Sequence, residues 1–339
     1  MSSSVIVQIQ KNPLIWKRLT LRKSLDEICH YLELELPASE RGKIHKHDRI
    51  EVRYANPYIR DSGGKRLVTT VLVDELTDST EASAHSITLI GRSPARDIID
   101  STWSGRASGT LFNVAKTIAG KFNIPVNQFP DDKVDHTKNV SSFSWENESP
   151  WTKLLNEASN QGYLFTASEA GGLYLWKVPG KDSVRSEGFH LTEGRNIRTI
   201  QFTENGAEQF HSYVVKGGGG SVTETDDTCK NNRICTIAIT DSAVSRETLR
   251  RRAQTELRRR QENKIVTTVT GWGLDDSEIK RLGETRWKEV FWSPNFLIPV
   301  NIPSGGIHGI NLLISQAEYQ ADAGTLTCTV SLINREAYL

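Results

Sequence analysis

Residues 49–54 read RIEVRY, with Ile50, Val52 and Tyr54 on one side of an extended chain and Glu51 and Arg53 on the other. A period of two over six residues marks a strand with one wet face. The pattern extends outward from there. Val5, Val7 and Ile9 alternate near the N-terminus, and Leu32, Leu34 and Leu36 alternate with Glu33 and Glu35 until Pro37 stops the run. Residues 67–76 and 85–92 are two more such segments, with turn signals between them that include Asp61-Ser62-Gly63-Gly64. Ser24 offers an N-cap with Glu27 at the capping-box position, so a short helix is expected to run to about His30. Closely spaced short strands with one small helix predict a β-barrel or sandwich over residues 1–97.

Beyond Asp97 the period changes. Ser108 or Thr110 can cap a helix whose apolar residues Leu111, Val114, Ala115, Ile118, Ala119 and Phe122 form one stripe. A second helix starts at Ser149 and Pro150, carries Trp151, Leu154, Leu155 and Ala158, and stops at Gly162. Residues 163–167 and 173–178 flank Glu169-Ala170-Gly171-Gly172 and read as a hairpin. These elements predict an α+β insert over residues 98–180. Strand patterns resume at 196–203 and 210–216, before a polar loop over 217–228 that is expected to be mobile. A helix over 245–263 leads into a Thr/Val strand at 265–271, and 290–292, 297–302, 309–318 and 325–333 complete the pattern. The expected fold is α+β and β-rich, with two β-barrel modules (1–97 and 181–339) around the insert.

Composition narrows the function. The 42 basic residues nearly balance the 41 acidic ones among 339, which excludes a globally basic nucleic-acid coat. No run approaches the length of a membrane span, and MSSSVIVQIQ lacks the layout of a secretion signal, so synthesis in the cytoplasm without export is expected. Four cysteines are too sparse for a disulfide scaffold. Cys229 and Cys235 lack metal-site spacing and read as free thiols. His45-Lys46-His47-Asp48 places two imidazoles two residues apart but supplies no third ligand, and it reads as a polar turn. No metal or cofactor is expected.

Acid pairs occur beside tryptophans: Glu146 and Glu148 near Trp145 and Trp151, and Asp275 and Asp276 near Trp272. Two acids across an aromatic cleft would suit glycoside cleavage, whereas core tryptophans with surface acids explain the same residues. No nucleophile elbow, zinc helix, phosphate loop or dinucleotide fingerprint is present, and Gly217–Gly220 lacks the Lys-Ser/Thr that a phosphate loop needs. The expectation is no enzyme.

The one strong charge feature is residues 246–264, with seven Arg and one Lys against three Glu. Such a helix can grip phosphates. Leu249, Ala253 and Leu257 instead form a stripe suited to packing, and no aromatics interleave to stack bases. Arg250, Arg251, Arg258 and Arg259 are therefore the candidates for charge pairs at a subunit interface.

The order of these segments resembles the baseplate hub proteins of contractile phage tails, especially the tail hub proteins of Mu-like phages and prophages. It is more distantly similar to T4-type hubs and to the hub half of type VI secretion spikes. The segments that carry the resemblance are SLDEICHYLELEL, HDRIEVRY, VTTVLVDEL and SITLIGRSPARDIID, then GTLFNVAKTIAGKFNI and SPWTKLLNEASNQGYLFTASEAGGLYLWK. LTEGRNIRTI, the arginine-rich helix and the stretch from VFWSPNFLIPV to the C-terminus complete it, so nearly the whole chain is covered. The 217–228 loop has no counterpart in that pattern.

The resemblance implies a homotrimer whose two hub-type barrels per chain make a ring of six. That ring would join the six-fold tail tube to the three-fold central spike and pass DNA through its lumen without reading sequence. It implies no catalytic residue and a place in the virion tail baseplate, assembled in the host cytoplasm. Two other readings remain from the residues: a tail-associated cell-wall-cleaving enzyme using Glu146 or Glu148, and a nucleic-acid-binding protein using the 246–264 helix.

Overall fold

The computed structural model describes residues 4–56, 65–80, 85–129, 135–184, 188–218, 220–239, 245–261, 264–275, 279, 290–322 and 324–339. The first region holds β1 (Ser4–Ile9), β2 (Asn12–Pro13), β3 (Arg18–Ser24), β4 (Tyr31–Pro37), β5 (Arg49–Ala55), β6 (Lys65–Thr80) and β7 (His85–Arg92). A middle region has α1 (Arg96–Asp100), β8 (Trp103–Thr110), α2 (Leu111–Gly120), β9 (Val126–Phe129), β10 (Asn139–Glu148), α3 (Trp151–Asn160), β11 (Tyr163–Ala167) and β12 (Leu173–Lys177). Next come β13 (Leu191–Thr192), β14 (Ile197–Thr203), β15 (Ser212–Gly217), β16 (Gly220–Thr225) and β17 (Ile234–Ala238). The chain closes with α4 (Arg246–Gln261), β18 (Lys264–Thr270), β19 (Leu297–Ile302), β20 (Ile307–Ala321) and β21 (Leu326–Ile333).

The two outer regions are joined through their strands. Among the described residues they share one 13-stranded sheet in the order β14-β18-β21-β20-β3-β4-β7-β6-β5-β1-β2, with β19 on β20 and β13 on β19, and no strand pair closes it. The expected division into two β-barrel modules is not confirmed by this sheet, and the length of β20 is what joins the two regions. That strand has 15 residues, so one of its edges serves two neighbours in turn. Its first half pairs with β19 through Leu312 and Leu313, and its second half pairs with β3 from Gln316↔Ser24 to Ala321↔Leu19.

The core follows the sheet. One apolar cluster contains Val52 and Leu89 from the first region together with Tyr319 and Val330 from the last. Tyr54 lies over Trp272 at 6.2 Å and meets Phe291 edge-on at 5.4 Å, so the aromatic packing also crosses between the two regions. The middle region has its own cluster, in which the α2 stripe (Leu111, Val114, Ile118) meets Trp151 and Leu154 of α3 and Phe165 of β11. Thr110 caps α2 by accepting from the Asn113 amide, as its position predicts. Ser149 accepts from the Trp151 amide at 3.3 Å, and β11 and β12 form the expected hairpin.

Three local expectations fail. The helix expected over 24–30 is absent: Ser24 ends β3, its hydroxyl accepts from the Asp26 amide at 3.1 Å, and Leu25 continues the pairing to Ser315 at 2.8 Å. The serine caps a turn, and the tertiary pairing with β20 outweighs the local capping signal. The 217–228 loop contains β16, which pairs with β15 from Ser212↔Thr225 to Gly217↔Gly220. Residues 290–292 make a single bridge, Gly273↔Phe291, rather than a strand. The turn at 61–64, Asp276 and Asn263 lie outside the described residues.

Candidate functional site

The arginine-rich helix is α4. Ser245 starts it by accepting from the Thr248 amide at 3.2 Å. Leu249 and Ala253 are fully buried against Val215 and Val222 of the small sheet β16-β15-β17, so the apolar stripe seats the helix as expected but on that three-stranded sheet. Leu257 is only half-buried; Glu256 is buried in its place, held by Arg252 at 2.7 Å and Arg260 at 3.4 Å.

Each of the four candidate arginines has a partner within the chain. Arg250 pairs with Glu224 of β16 at 3.6 Å. Arg251 donates to the carbonyl of Asn160 at the end of α3, and its neighbour Arg252 reaches Ser159 at 2.6 Å. Arg258 pairs with Glu336 at 3.4 Å, beside the C-terminal residue. Arg259 pairs with Asp26 and stacks 5.6 Å from the Tyr338 ring. Tyr338 donates to the same Asp26 carboxylate at 3.0 Å. Burial and then the Asp26 charge push the Tyr338 phenol up, so it stays protonated and keeps donating. Burial, the largest single influence, would pull the Arg259 guanidinium down, but Asp26, Tyr338, Glu256 and Glu208 together outweigh it and the net shift is upward. The helix thus fastens β16, the end of α3, the 24–27 turn and the C-terminal segment to one another. The sequence held no signal for these partners, since Asp26 lies 233 residues from Arg259.

The other candidates sit apart from α4. Glu146 and Glu148 border an open groove of about 580 Å³ with Ser104, Arg106, Ser144 and Trp145. Trp145 and Trp151 are core residues, the first edge-on to Trp103 at 5.6 Å and the second 5.3 Å from Phe165. Trp145 belongs to the groove lining but is 6% exposed, so the groove has carboxylates and offers a sugar no open ring face. Trp272 is fully buried and donates to the Gln320 carbonyl, so it offers Asp275 no platform either. The His45–Asp48 segment is a turn, with the Asp48 carboxylate accepting from the His45 amide at 2.7 Å. Arg96 lies 3.3 Å from His47 Nδ1, and a guanidinium there opposes a bound cation. Among the described residues no His, Cys, Asp or Glu cluster has the makings of a metal site, and no helix is long and apolar enough to cross a membrane.

No protein-family model matches the chain. It is 23% identical to "Baseplate hub protein gp44" of Escherichia phage Mu, over 96% of this chain and 86% of that protein. Its fold is similar to that of the prophage MuSo2 43 kDa tail protein of Shewanella oneidensis, with a TM-score of 0.75, 21% identity and 98% of each chain covered. It is also similar to an E. coli type VI secretion component described as structurally similar to the T4 tail proteins gp27 and gp5. There the TM-score is 0.59 at 8% identity, over 97% of this chain and 76% of the other. The resemblance to Mu-like hub proteins thus holds for sequence and fold across almost the whole chain.

Proposed function

We propose that this chain is a structural baseplate hub of a contractile phage tail. The observation that carries the reading is that sequence and fold likeness run end to end along proteins named for the baseplate hub and the tail, not over one shared module. The arginine-rich helix supports a mechanical role, because its charges are spent on holding parts of the chain together. The acid groove, whose one tryptophan, Trp145, is nearly buried, gives the cell-wall-cleaving alternative no support, and a non-enzymatic role follows from the hub reading.

In its finer form the reading is a homotrimeric ring that adapts a six-fold tube to a three-fold spike in the virion baseplate. DNA passes its lumen with no base readout, and the ring is assembled in the host cytoplasm. Closed cyclic symmetry limits growth to a ring. Residues 1–97 and 181–339 supply the repeated β-rich halves, with 98–180 outside the shared sheet as a peripheral insert. Arg250 keeps 58% of its side chain exposed while paired with Glu224, which leaves it able to reach a second subunit.

Light scattering on a sizing column tests the ring. The expected mass is three times 38.0 kDa and holds across salt and dilution. A dimer, or a series of species growing with concentration, would overturn it.

A further inference from the structure

Thr203 at the end of β14 and Lys264 at the start of β18 are register partners, so the chain between them leaves the long sheet and re-enters it at one point. That stretch holds the small sheet β16-β15-β17 and α4, and among the described residues no strand of it joins the long sheet. Its described backbone hydrogen bonds stay inside it. Its apolar cluster is its own as well. Val215, Val222, Ile237 and Ile239 meet Leu249 and Ala253, and none of the other three clusters contains a described residue from this stretch. The segment leading in is bound to the unit itself: Arg233 donates to the carbonyls of Gly206 at 2.8 Å and Ala207 at 2.5 Å, and Arg260 to that of Glu208 at 3.3 Å.

α4 ties this unit to the rest of the chain through polar side chains. Arg251 donates to the Asn160 carbonyl and Arg252 to the Ser159 hydroxyl at 2.6 Å, both at the end of α3. Further along the helix, Thr255 donates to the Leu339 carbonyl at 2.8 Å, Arg258 pairs with Glu336 at 3.4 Å, and Arg259 pairs with Asp26. The side chains of these two ion pairs are 35% to 46% exposed. Ion pairs that wet are weak, and salt screens them. Units joined by a polar contact move relative to one another unless a large apolar interface stops them.

We propose that residues 204–263 form a hinged arm that swings on the Thr203–Lys264 pair and is held shut by the polar side chains of α4, a latch that salt loosens. Two chain segments that leave and return side by side act as one hinge, because rotation there needs dihedral changes at only a few residues and leaves the pairing of the long sheet intact. Shut, the arm clips the end of α3, the 24–27 turn and the C-terminal segment together. Open, it releases all three at once. Leu249 and Ala253 travel with the arm, so no apolar cluster has to be broken for it to open.

A thiol under the latch tests it. Ser159→Cys is placed at the end of α3 in a Cys235→Ser background, which removes the one native thiol that is not buried, and its reaction with a bulky maleimide is followed by mass spectrometry. The rate is expected to rise between about 0.01 M and 1 M salt, over which the screening length shrinks about tenfold. Arg258→Gln together with Arg259→Gln is expected to raise it at low salt by about 1.4- to 5-fold for each pair lost, although the ties of both arginines lie elsewhere, on Glu336 and Asp26. Both treatments weaken the positive field that favours a reactive thiolate, so a direct charge effect on the thiol would slow the reaction instead. A rate that ignores both salt and the double variant would mean a fixed arm and overturn the proposal. Arg246→Gln removes a charge from α4 but none of these ties and is expected to leave the rate unchanged; a matching rise would overturn the latch. Cys229, buried within the arm, is expected to stay unmodified throughout. Its modification in step with the introduced thiol would show that the arm melts rather than swings, and would overturn the hinge.

Discussion

At the scale of single residues, burial decides which side chains matter most. His30 is buried, its Nδ1 lies 2.8 Å from the Thr69 hydroxyl, and the charge of Lys23 is nearby. Burial first and Lys23 second hold the imidazole well below its ordinary value of 6.5, so the folded protein keeps it neutral. Below pH 6.5 the unfolded chain takes up a proton that the folded chain refuses, so stability falls as pH drops through that value. One such proton gives a slope of up to about 1.4 kcal/mol per pH unit. Denaturant titrations from about pH 7 to pH 5 are expected to show this slope in the wild type and a shallower one in His30→Gln. Equal slopes would clear His30 of the effect. Two glycines make an opposite pair. A Cβ on Gly273 would stand 1.7 Å from the Val290 carbonyl oxygen, while one on Gly42 would meet nothing within 4 Å. Gly273→Ala is expected to cost at least about 1–3 kcal/mol, because backbone cannot step aside as a side chain can. Gly42→Ala is expected to be neutral or to stabilise by up to about 1 kcal/mol. Thermal melts of the two variants compare them directly.

At the scale of elements, α4 separates what holds a helix from what decorates it. The Arg259–Asp26 pair is between side chains exposed by 44% and 46%, and such pairs contribute about 0.2–1 kcal/mol. Leu249 is fully buried in a small cluster, and truncating a buried leucine costs about 2–5 kcal/mol. Leu249→Ala is therefore expected to lower the denaturation midpoint several times more than Arg259→Gln; the reverse order would mean that the charges seat the helix. The apolar stripe of α4 was legible in the sequence because a period near 3.6 needs only local residues, and the same holds for α2, α3 and the β11–β12 hairpin. β16 was not legible: Val222 alone points into the small cluster, and its Ser, Thr and Gly neighbours read as loop. β3 was missed for a related reason. Leu19 and Leu21 alternate correctly, but Ser24 and Glu27 imitate a capping box, and only the remote partner β20 decides between strand and helix. The partners of the candidate arginines were illegible because ion pairs across scores of residues leave no local pattern.

At the scale of the molecule, the register between β3 and β20 has the largest consequence. Six residue pairs join a strand near the N-terminus to one near the C-terminus, and one apolar cluster spans both regions. Closing so long a loop costs chain entropy that only many simultaneous contacts can offset. The first and last regions are therefore expected to unfold together, while the middle region, with its own cluster, is able to melt separately. The test is a matched pair of truncations on either side of the join. Leu21 and Tyr319 are both fully buried and face each other in the register. Leu21→Ala and Tyr319→Phe are expected to lower the same calorimetric transition. Tyr319→Phe forfeits the bond from its hydroxyl to the Trp292 carbonyl, for about 0.5–1.5 kcal/mol. Leu154→Ala, in the middle cluster, is expected to move a different part of the trace. If Leu21→Ala and Tyr319→Phe shift two separate transitions, each outer region is a self-sufficient module and the shared sheet only a contact between them. If they shift one, the sheet is a single cooperative beam from the N-terminal strands to the C-terminal ones. A beam of that kind carries load from one end of the chain to the other, which is what the proposed hub role would require.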